Sequence, residues 1–357
     1  MNNLARKKRV LSGMRSTGKL HLGNYVGALA KWVKMQDENE CYFCVADWHA
    51  LTTDYADTSQ VKQNSLDVLL DWLAAGLDPA RSVMFIQSHV PAHAELHLLL
   101  SMITPLGWLE RVPTYKEQQE NITGKDLSTY GFLGYPVLMT SDILLYKADF
   151  VPVGEDQTAH VELTREIARR FNNFYRKDPP VFPEPQTVLT PAPKLPGTDG
   201  RKMSKSYGNT ILLTDPEPVV RQKLKTMVTD PARVRRTDPG NPDVCPVGDL
   251  HKIFSDSATN ERVNVGCRSA GIGCIECKSW AADSLVKILN PMQERRKKYE
   301  ENPRLAWDIL ETGSEQARQR AGATMEEVRD AMGMSLNFED SRLSKAAKGE
   351  APSGSAK

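Results

Sequence analysis

At 357 residues, with 40% hydrophobic and 25% charged side chains, the chain is long enough for two domains and has an ordinary globular composition. Its 46 basic and 45 acidic side chains nearly cancel, so bulk charge favours no nucleic-acid partner and any such surface must be local. No apolar run approaches the ~20 residues that span a bilayer, and the polar, basic start lacks a signal-peptide core, so no membrane role and a cytoplasmic location are expected.

From residue 9 onward, short β-rich runs alternate with longer helical patterns. Residues 9–13, 41–47, 83–88 and 150–153 read as strands. Leu22, Val26, Leu29 and Val33 recur at helical spacing after the first, and Val61, Ser65, Val68, Leu69 and Trp72 after the second. Such amphipathic crossovers imply an α/β fold with a doubly wound parallel sheet, whose ligands gather at the carboxyl ends of strands. A proline-rich stretch over residues 178–196 breaks the rhythm, and a glycine-flanked loop, 197–208, follows; the hinge is placed there. Residues 217–228, 278–289, 293–301 and 306–334 then read as helices. The expected division is an α/β domain over 1–210, a helical domain over 211–335, and a tail over 336–357 too polar to fold.

Two segments carry phosphate chemistry. Ser12-Gly13-Met14-Arg15-Ser16-Thr17-Gly18-Lys19-Leu20-His21-Leu22-Gly23-Asn24 leaves the first strand and sets His21 at a helix amino terminus, where N–H groups and the helix dipole favour anions. Gly18 and Gly23 are expected to let phosphate approach the backbone. Lys202-Met203-Ser204-Lys205-Ser206 lies in the glycine-flanked loop, where two lysines can reach a polyphosphate. Either segment alone has a bland reading, as an α/β turn or a solvated loop.

Together they resemble the His-x-Gly-His/Asn and Lys-Met-Ser-Lys-Ser signatures of class I aminoacyl-tRNA synthetases, in the same order on the same elements. The resemblance implies a Rossmann-like catalytic domain with a helical anticodon-binding domain, using ATP, Mg²⁺ and a tRNA. It implies that His21 and Asn24 stabilise the α-phosphate and that Lys202 and Lys205 stabilise the departing pyrophosphate. Arg15, Ser16, Thr17, Gly23, Leu195, Met203, Ser204 and Ser206 would join them around ATP. An amino acid's carboxylate is already ionised, so its attack on phosphorus needs positioning and charge stabilisation more than a base.

The run Gly154-Glu155-Asp156-Gln157-Thr158-Ala159-His160-Val161-Glu162-Leu163-Thr164-Arg165-Glu166-Ile167-Ala168 is similar to a signature of tryptophanyl-tRNA synthetases. Tyr135-Pro136-Val137-Leu138-Met139-Thr140-Ser141-Asp142-Ile143-Leu144-Leu145-Tyr146 resembles that family's helix whose aspartate accepts the indole N–H. By this resemblance Asp142 is the acceptor, Met139 and Tyr135 are pocket walls, Gln157 sits near the ammonium group, and Gly154, Glu155 and Asp156 face the nucleotide. Indole offers one donor and no acceptor, so a specific pocket wants one carboxylate or carbonyl inside apolar walls. The implied reaction joins L-tryptophan to tRNA(Trp). Gly107-Trp108-Leu109-Glu110-Arg111, with Tyr115 and Lys116, resembles a dimer-forming stretch and implies a homodimer. His49, ending the second strand, reads either as a ligand contact or as a structural histidine. The loop Lys194-Leu195-Pro196-Gly197-Thr198-Asp199-Gly200 departs from the family pattern. A tyrosine-specific synthetase shares both ATP signatures but lacks the Asp142 context, and an RNA-binding relative without catalysis would have lost His21, Lys202 and Lys205.

Cys245, Cys267, Cys274 and Cys277 give C-x21-C-x6-C-x2-C, interleaved with glycines. Four thiolates imply tetrahedral Zn²⁺ or an iron–sulfur cluster, and spacing leaves both open. A branch of bacterial tryptophanyl-tRNA synthetases carries a [4Fe–4S] cluster on similar cysteines, so the resemblance points to that cluster, with Zn²⁺ as the alternative. Cys41 and Cys44 fall in an extended run, facing opposite ways, and read as core. Arg233, Arg235 and Arg236, beside Lys223 and Lys225, read either as a solvated face or as phosphate contacts for RNA.

Overall fold

The computed structural model describes residues 6–113, 115, 126–190 and 195–335; the expected tail over 336–357 lies outside them, as do Lys116 and Lys194. Strand β1 (Arg9–Arg15) leads through α1 (Leu22–Asn24), a π-helical turn (Tyr25–Leu29) and α2 (Ala30–Met35) to β2 (Glu40–Ala46). Helices α3 (Asp47–Asp54) and α4 (Val61–Ala75) connect to β3 (Ser82–Ile86), and α5 (Ala92–Ser101), α6 (Leu106–Glu110) and α7 (Tyr130–Leu145) to β4 (Phe150–Val153). Helix α8 (Thr158–Tyr175) leads to β5 (Gln186–Leu189). All pairings are parallel, in the order β3-β2-β1-β4-β5. Chain order reverses at β1, which puts a ligand crevice at the ends of β1 and β4.

The fifth strand falls inside the stretch that the proline content marks as a break. It is short, lies at the sheet edge and has no fully buried residue, so no apolar run announces it. The inner strands are different: β2 is buried on both faces, as expected when helices cover a parallel sheet on both sides. Cys41, Phe43 and Val45 enter the layer with Trp32 and Trp72, while Tyr42 and Cys44 enter the layer with Phe85 and Tyr146. Trp32 stacks on Phe43 at 4.8 Å and meets Trp72 edge-on at 5.5 Å.

Beyond the sheet come α9 (Glu217–Thr226), α10 (Pro246–Phe254), α11 (Ser257–Arg268), α12 (Cys274–Glu301) and α13 (Pro303–Ala331). The two helices expected over 278–289 and 293–301 are one, α12, which continues through Pro291. Proline removes one backbone hydrogen bond. Here it lies on the exposed face, where water can serve the freed carbonyl, while Leu285, Leu289 and Met292 stay buried on the other side. One apolar core runs across residue 210, joining Val10, Leu69 and Trp72 to Leu224, Leu285 and Leu310. No helix among the described residues is long and apolar enough to cross a membrane.

Helix α13 covers the open edge of β3. Gly313 lies so near that strand that a Cβ there would sit 1.9 Å from the Met84 carbonyl oxygen, and the next residue's hydroxyl, Ser314 Oγ, accepts the Ile86 N–H at 3.4 Å. Gly313→Ala is therefore expected to push α13 off the sheet and cost about 1–3 kcal/mol. Gly322→Ala, where a Cβ meets nothing within 4 Å, should be neutral or stabilising by up to about 1 kcal/mol. Thermal unfolding of the two variants checks the contrast.

Candidate active site

His21 caps α1 with its own ring: Nδ1 accepts the Gly23 N–H at 3.1 Å, while Asn24 Oδ1 accepts the His21 N–H at 3.0 Å. With Nδ1 occupied as an acceptor, the neutral ring carries its proton on Nε2 and offers it outward. Burial, and then the charges of Lys205 and Lys202, push the imidazole pKa down to about 4, so it is neutral at pH 7. A Cβ on Gly23 would lie 2.9 Å from this ring. The glycine thus makes room for the histidine ring.

The second segment folds back onto the first. Lys205 Nζ donates to the carbonyls of Thr17 and Gly18, each at 2.9 Å. Lys202 and Ser206 are exposed beside it, and Ser204 and Ser206 share a hydroxyl contact of 2.9 Å. Asn209, which the sequence reading passed over, fixes the loop. Its Oδ1 accepts the Ser204 N–H at 2.8 Å, and its Nδ2 donates to Asp199 at 2.7 Å and to the Lys202 carbonyl at 3.2 Å. The Gly208-Asn209 pair, one residue beyond the motif, was the available signal. Leu195 and Met203 are core residues, so only their backbone can meet a nucleotide. Arg15 turns onto α3, donating to the Ala50 carbonyl at 3.2 Å and to Thr53, with Asp54 at 3.6 Å. Ser16 Oγ is buried without a hydrogen-bond partner among the described residues.

A cavity of about 450 Å³ opens at the ends of β1, β2 and β4. Tyr135, Met139, Asp142 and Gln157 all line it, together with Arg15, His49 and Gly154. Gly27 and Ala28 of the π-helical turn form part of its wall, a place where such turns often serve function. Glu155 and Asp156 instead face solvent in the 3-10 turn that follows β4.

Asp142 is the most heavily bonded group there. Oδ2 accepts from His49 Nε2 at 2.8 Å and Oδ1 from His93 Nδ1 at 2.6 Å, and the Gln87 amide donates to both oxygens at 2.8 and 2.9 Å. His93 is held in turn by the Tyr146 hydroxyl, 2.8 Å from Nε2. Burial alone would raise the carboxyl pKa, but His93 and His49 outweigh it and hold it well below the usual carboxylate range. His49 is therefore part of the cavity. Gln87 and His93 were missed because partners 55 and 49 residues away leave no local pattern.

The four cysteines gather at the start of α10, the end of α11 and the first turn of α12. Burial, and then the other three thiols, push Cys277 up to about 12. Among the described residues, no three His, Cys, Asp or Glu donors close around a single point. Arg233 belongs to this centre and is no surface phosphate contact: it is buried, binds the Arg236 carbonyl at 3.0 Å and the Ile272 carbonyl, and lies 3.8 Å from Cys267 Sγ. Arg235 and Arg236 remain exposed, as does Lys225, whereas Lys223 pairs with Asp215 at 2.6 Å.

The profile of tRNA synthetases class I (W and Y) matches residues 2–290. A tryptophan–tRNA ligase of Thermotoga maritima is 55% identical, over 91% of this chain and 99% of its own. Another, of Ralstonia nicotianae, is 48% identical, over 92% and 99%. Among solved structures, the tryptophanyl-tRNA synthetase of Campylobacter jejuni complexed with ADP and tryptophan superposes with a TM-score of 0.81 at 33% identity, covering 91% of this chain and 99% of that one. With Lys205 joining the two signature segments and relatives of this identity spanning nearly the whole length, the chain belongs to the bacterial-type class I tryptophanyl-tRNA synthetases, and its activity is that of a tryptophan–tRNA ligase.

Proposed function

We propose that the two signatures close over ATP, supplied as its Mg²⁺ salt, while the adjoining cavity takes tryptophan. The observation that carries this reading is Lys205 Nζ at 2.9 Å from two carbonyls of the first segment, where phosphate oxygens would replace them. The Campylobacter relative, which is complexed with ADP and tryptophan, supports an adenine nucleotide and tryptophan here.

Asp142 accepts the indole N–H; because one Gln87 amide is shared by both its oxygens, three groups fill a carboxylate that has about four acceptor sites. Met139 and Tyr135 wall the ring, and Gln157 lies beside the ammonium group. The tryptophan carboxylate attacks the α-phosphorus and the bond to pyrophosphate breaks. Lys202 and Lys205, with Ser204 and Ser206, take up the charge that appears on the leaving group. His21 Nε2–H and Asn24 donate to the α-phosphate oxygens, and the Ser16 hydroxyl, which has no partner among the described residues, lines the nucleotide with Arg15, Thr17 and Gly23. Gly154, Glu155 and Asp156 approach from the β4 side, and Leu195 and Met203 through their backbone. A hydroxyl of the terminal adenosine of tRNA(Trp) then attacks the adenylate carbonyl and AMP leaves. That partner sets the reaction in the cytoplasm. Residues 1–210 supply this chemistry, and residues 211–335, with Arg235, Arg236 and Lys225 exposed, face the anticodon end.

The donor set at Cys245, Cys267, Cys274 and Cys277 suits an anionic centre. Arg233 is a buried cation beside Cys267 whose Nε has no partner among the described residues, and Cys274 and Cys277 occupy the first turn of a long helix, where the dipole favours negative charge. We assign them to a [4Fe–4S] cluster that ties α10, α11 and α12 together. The chain further works as a homodimer, a reading supported by Leu98 on α5, Met102 just after it and Leu106 on α6, which stand 55%, 68% and 58% exposed.

Lys205→Ala should slow tryptophan-dependent ATP–pyrophosphate exchange by about 10²–10³-fold in kcat while leaving tryptophan binding nearly unchanged, since the contact matters in the transition state. Equal losses in both contradict the role. Protein purified without oxygen should be brown, with iron and acid-labile sulfide in equal amounts; stoichiometric zinc without iron rejects the cluster. Sedimentation should give the mass of two chains, falling to one in Met102→Glu.

A further inference from the structure

Helix α12 meets the ATP site through one buried ion pair, roughly 30 Å along the helix from its cysteines. Arg296, 3% exposed, donates through Nη1 to Asp71 and through Nη2 to Asp67 at 3.0 Å, both on α4, and through Nε to Glu300 at 2.6 Å. Asp71 is 0% exposed, and its second oxygen accepts the Leu20 N–H at 2.6 Å. Leu20 directly precedes His21, and its carbonyl accepts the Leu213 N–H at 2.9 Å. One turn earlier on α12, Gln293 donates to the carbonyls of Leu213 and Asp215 at 3.2 and 2.8 Å. A single turn of α12 thus grips the segments flanking both signatures.

Stability alone gives little reason for this arrangement, because a buried ion pair seldom improves on apolar packing. Burial pushes the Asp71 carboxyl up to about 6, against the pull of Arg296 and the Leu20 N–H. The charges reaching it are Arg296 from α12, Asp67 from its own helix and Lys205 from the loop; α13, β2 and the π-helical turn, which also touch α4, bring none. Lys205 feels the pair in return, since Asp71 and Asp67 favour an ammonium that burial disfavours.

We propose that Asp71, locked by Arg296, is a positioning residue for adenylate formation: it holds Leu20 so that His21 meets the α-phosphate, and it makes that geometry depend on the seat of α12. This rests on the reading of His21 and Lys205 as phosphate-binding groups. The test is tryptophan-dependent ATP–pyrophosphate exchange on full-length Asp71→Asn, Arg296→Met and Arg296→Lys, with His21→Ala and Lys205→Ala as references. Tryptophan titration by intrinsic fluorescence gives the folded, competent fraction of each. Asp71→Asn and Arg296→Met should lose about 10–100-fold in kcat per competent site, with KM for tryptophan within about twofold of the parent. Arg296→Lys, which keeps the cation, should recover most of that loss. The ionised carboxylate is the working form, so activity rises as pH climbs through its pKa. Without Arg296 the lone carboxyl holds its proton to higher pH, and the acid limb of kcat should move up by about one unit or more. Parental kcat with an unmoved limb in Arg296→Met overturns the proposal, as do equal losses in kcat and tryptophan affinity, the mark of a merely structural role. Full exchange in His21→Ala and Lys205→Ala would remove the premise instead, which separates the two failures.

Discussion

An ammonium group resting on two backbone carbonyls makes one site of segments 188 residues apart. Lys205 binds Thr17 and Gly18, and around that contact the backbones interlock: Leu22 donates to the Ile211 carbonyl at 3.0 Å and Leu213 to the Leu20 carbonyl at 2.9 Å. Carbonyl oxygens carry only partial charge, so they compensate a half-buried cation incompletely; burial lowers the Lys205 pKa. A polyphosphate satisfies the same ammonium better. The charge is in position before the reaction begins, which is the condition under which electrostatic stabilisation of a transition state is most effective.

His21 and Asp142 are set to opposite polarity by the same force acting on different neighbours. Burial disfavours charge in both His21 and Asp142. Next to His21 the neighbouring lysines reinforce burial and the ring is neutral, a donor through Nε2. Around Asp142 the two histidines overcome burial and the carboxyl is ionised, an acceptor. His21 Nε2 is thus a donor, the kind of group a phosphate oxygen would require, and Asp142 an acceptor, the kind an indole N–H would require. Neither group is poised to change its charge near neutral pH, and the polarity of the site is fixed there.

What could be read from the sequence was what repeats or runs on locally. The strands β1 to β4, the crossover helices and both signature segments declare themselves within a dozen residues each. The short edge strand β5 and the passage of α12 through Pro291 did not, because one lacks a buried face and the other is kept helical by its packing. Within the site, the motif residues and the four pocket residues were legible. Gln87, His93, Asn209 and the Arg296–Asp71 pair were not: each acts by fixing another residue, and the last pair is separated by 225 positions. Gly23 also makes room for the neighbouring imidazole, a steric role that the local pattern does not announce.

The helices after residue 210 also complete the α/β part of the chain. Helix α13 covers the edge of β3 so closely that only a glycine fits at residue 313, and α12 delivers the cation that lets Asp71 stay ionised in a dry place. A chain ending near residue 210 would bare the N–H and C=O groups of β3 to other strands and leave Asp71 buried without its partner. The Leu20 N–H would then face a carboxyl with every reason to take up a proton, one residue before the His21 imidazole. His21 and Lys205 lie before residue 210, but their geometry is completed by helices that follow them in the chain.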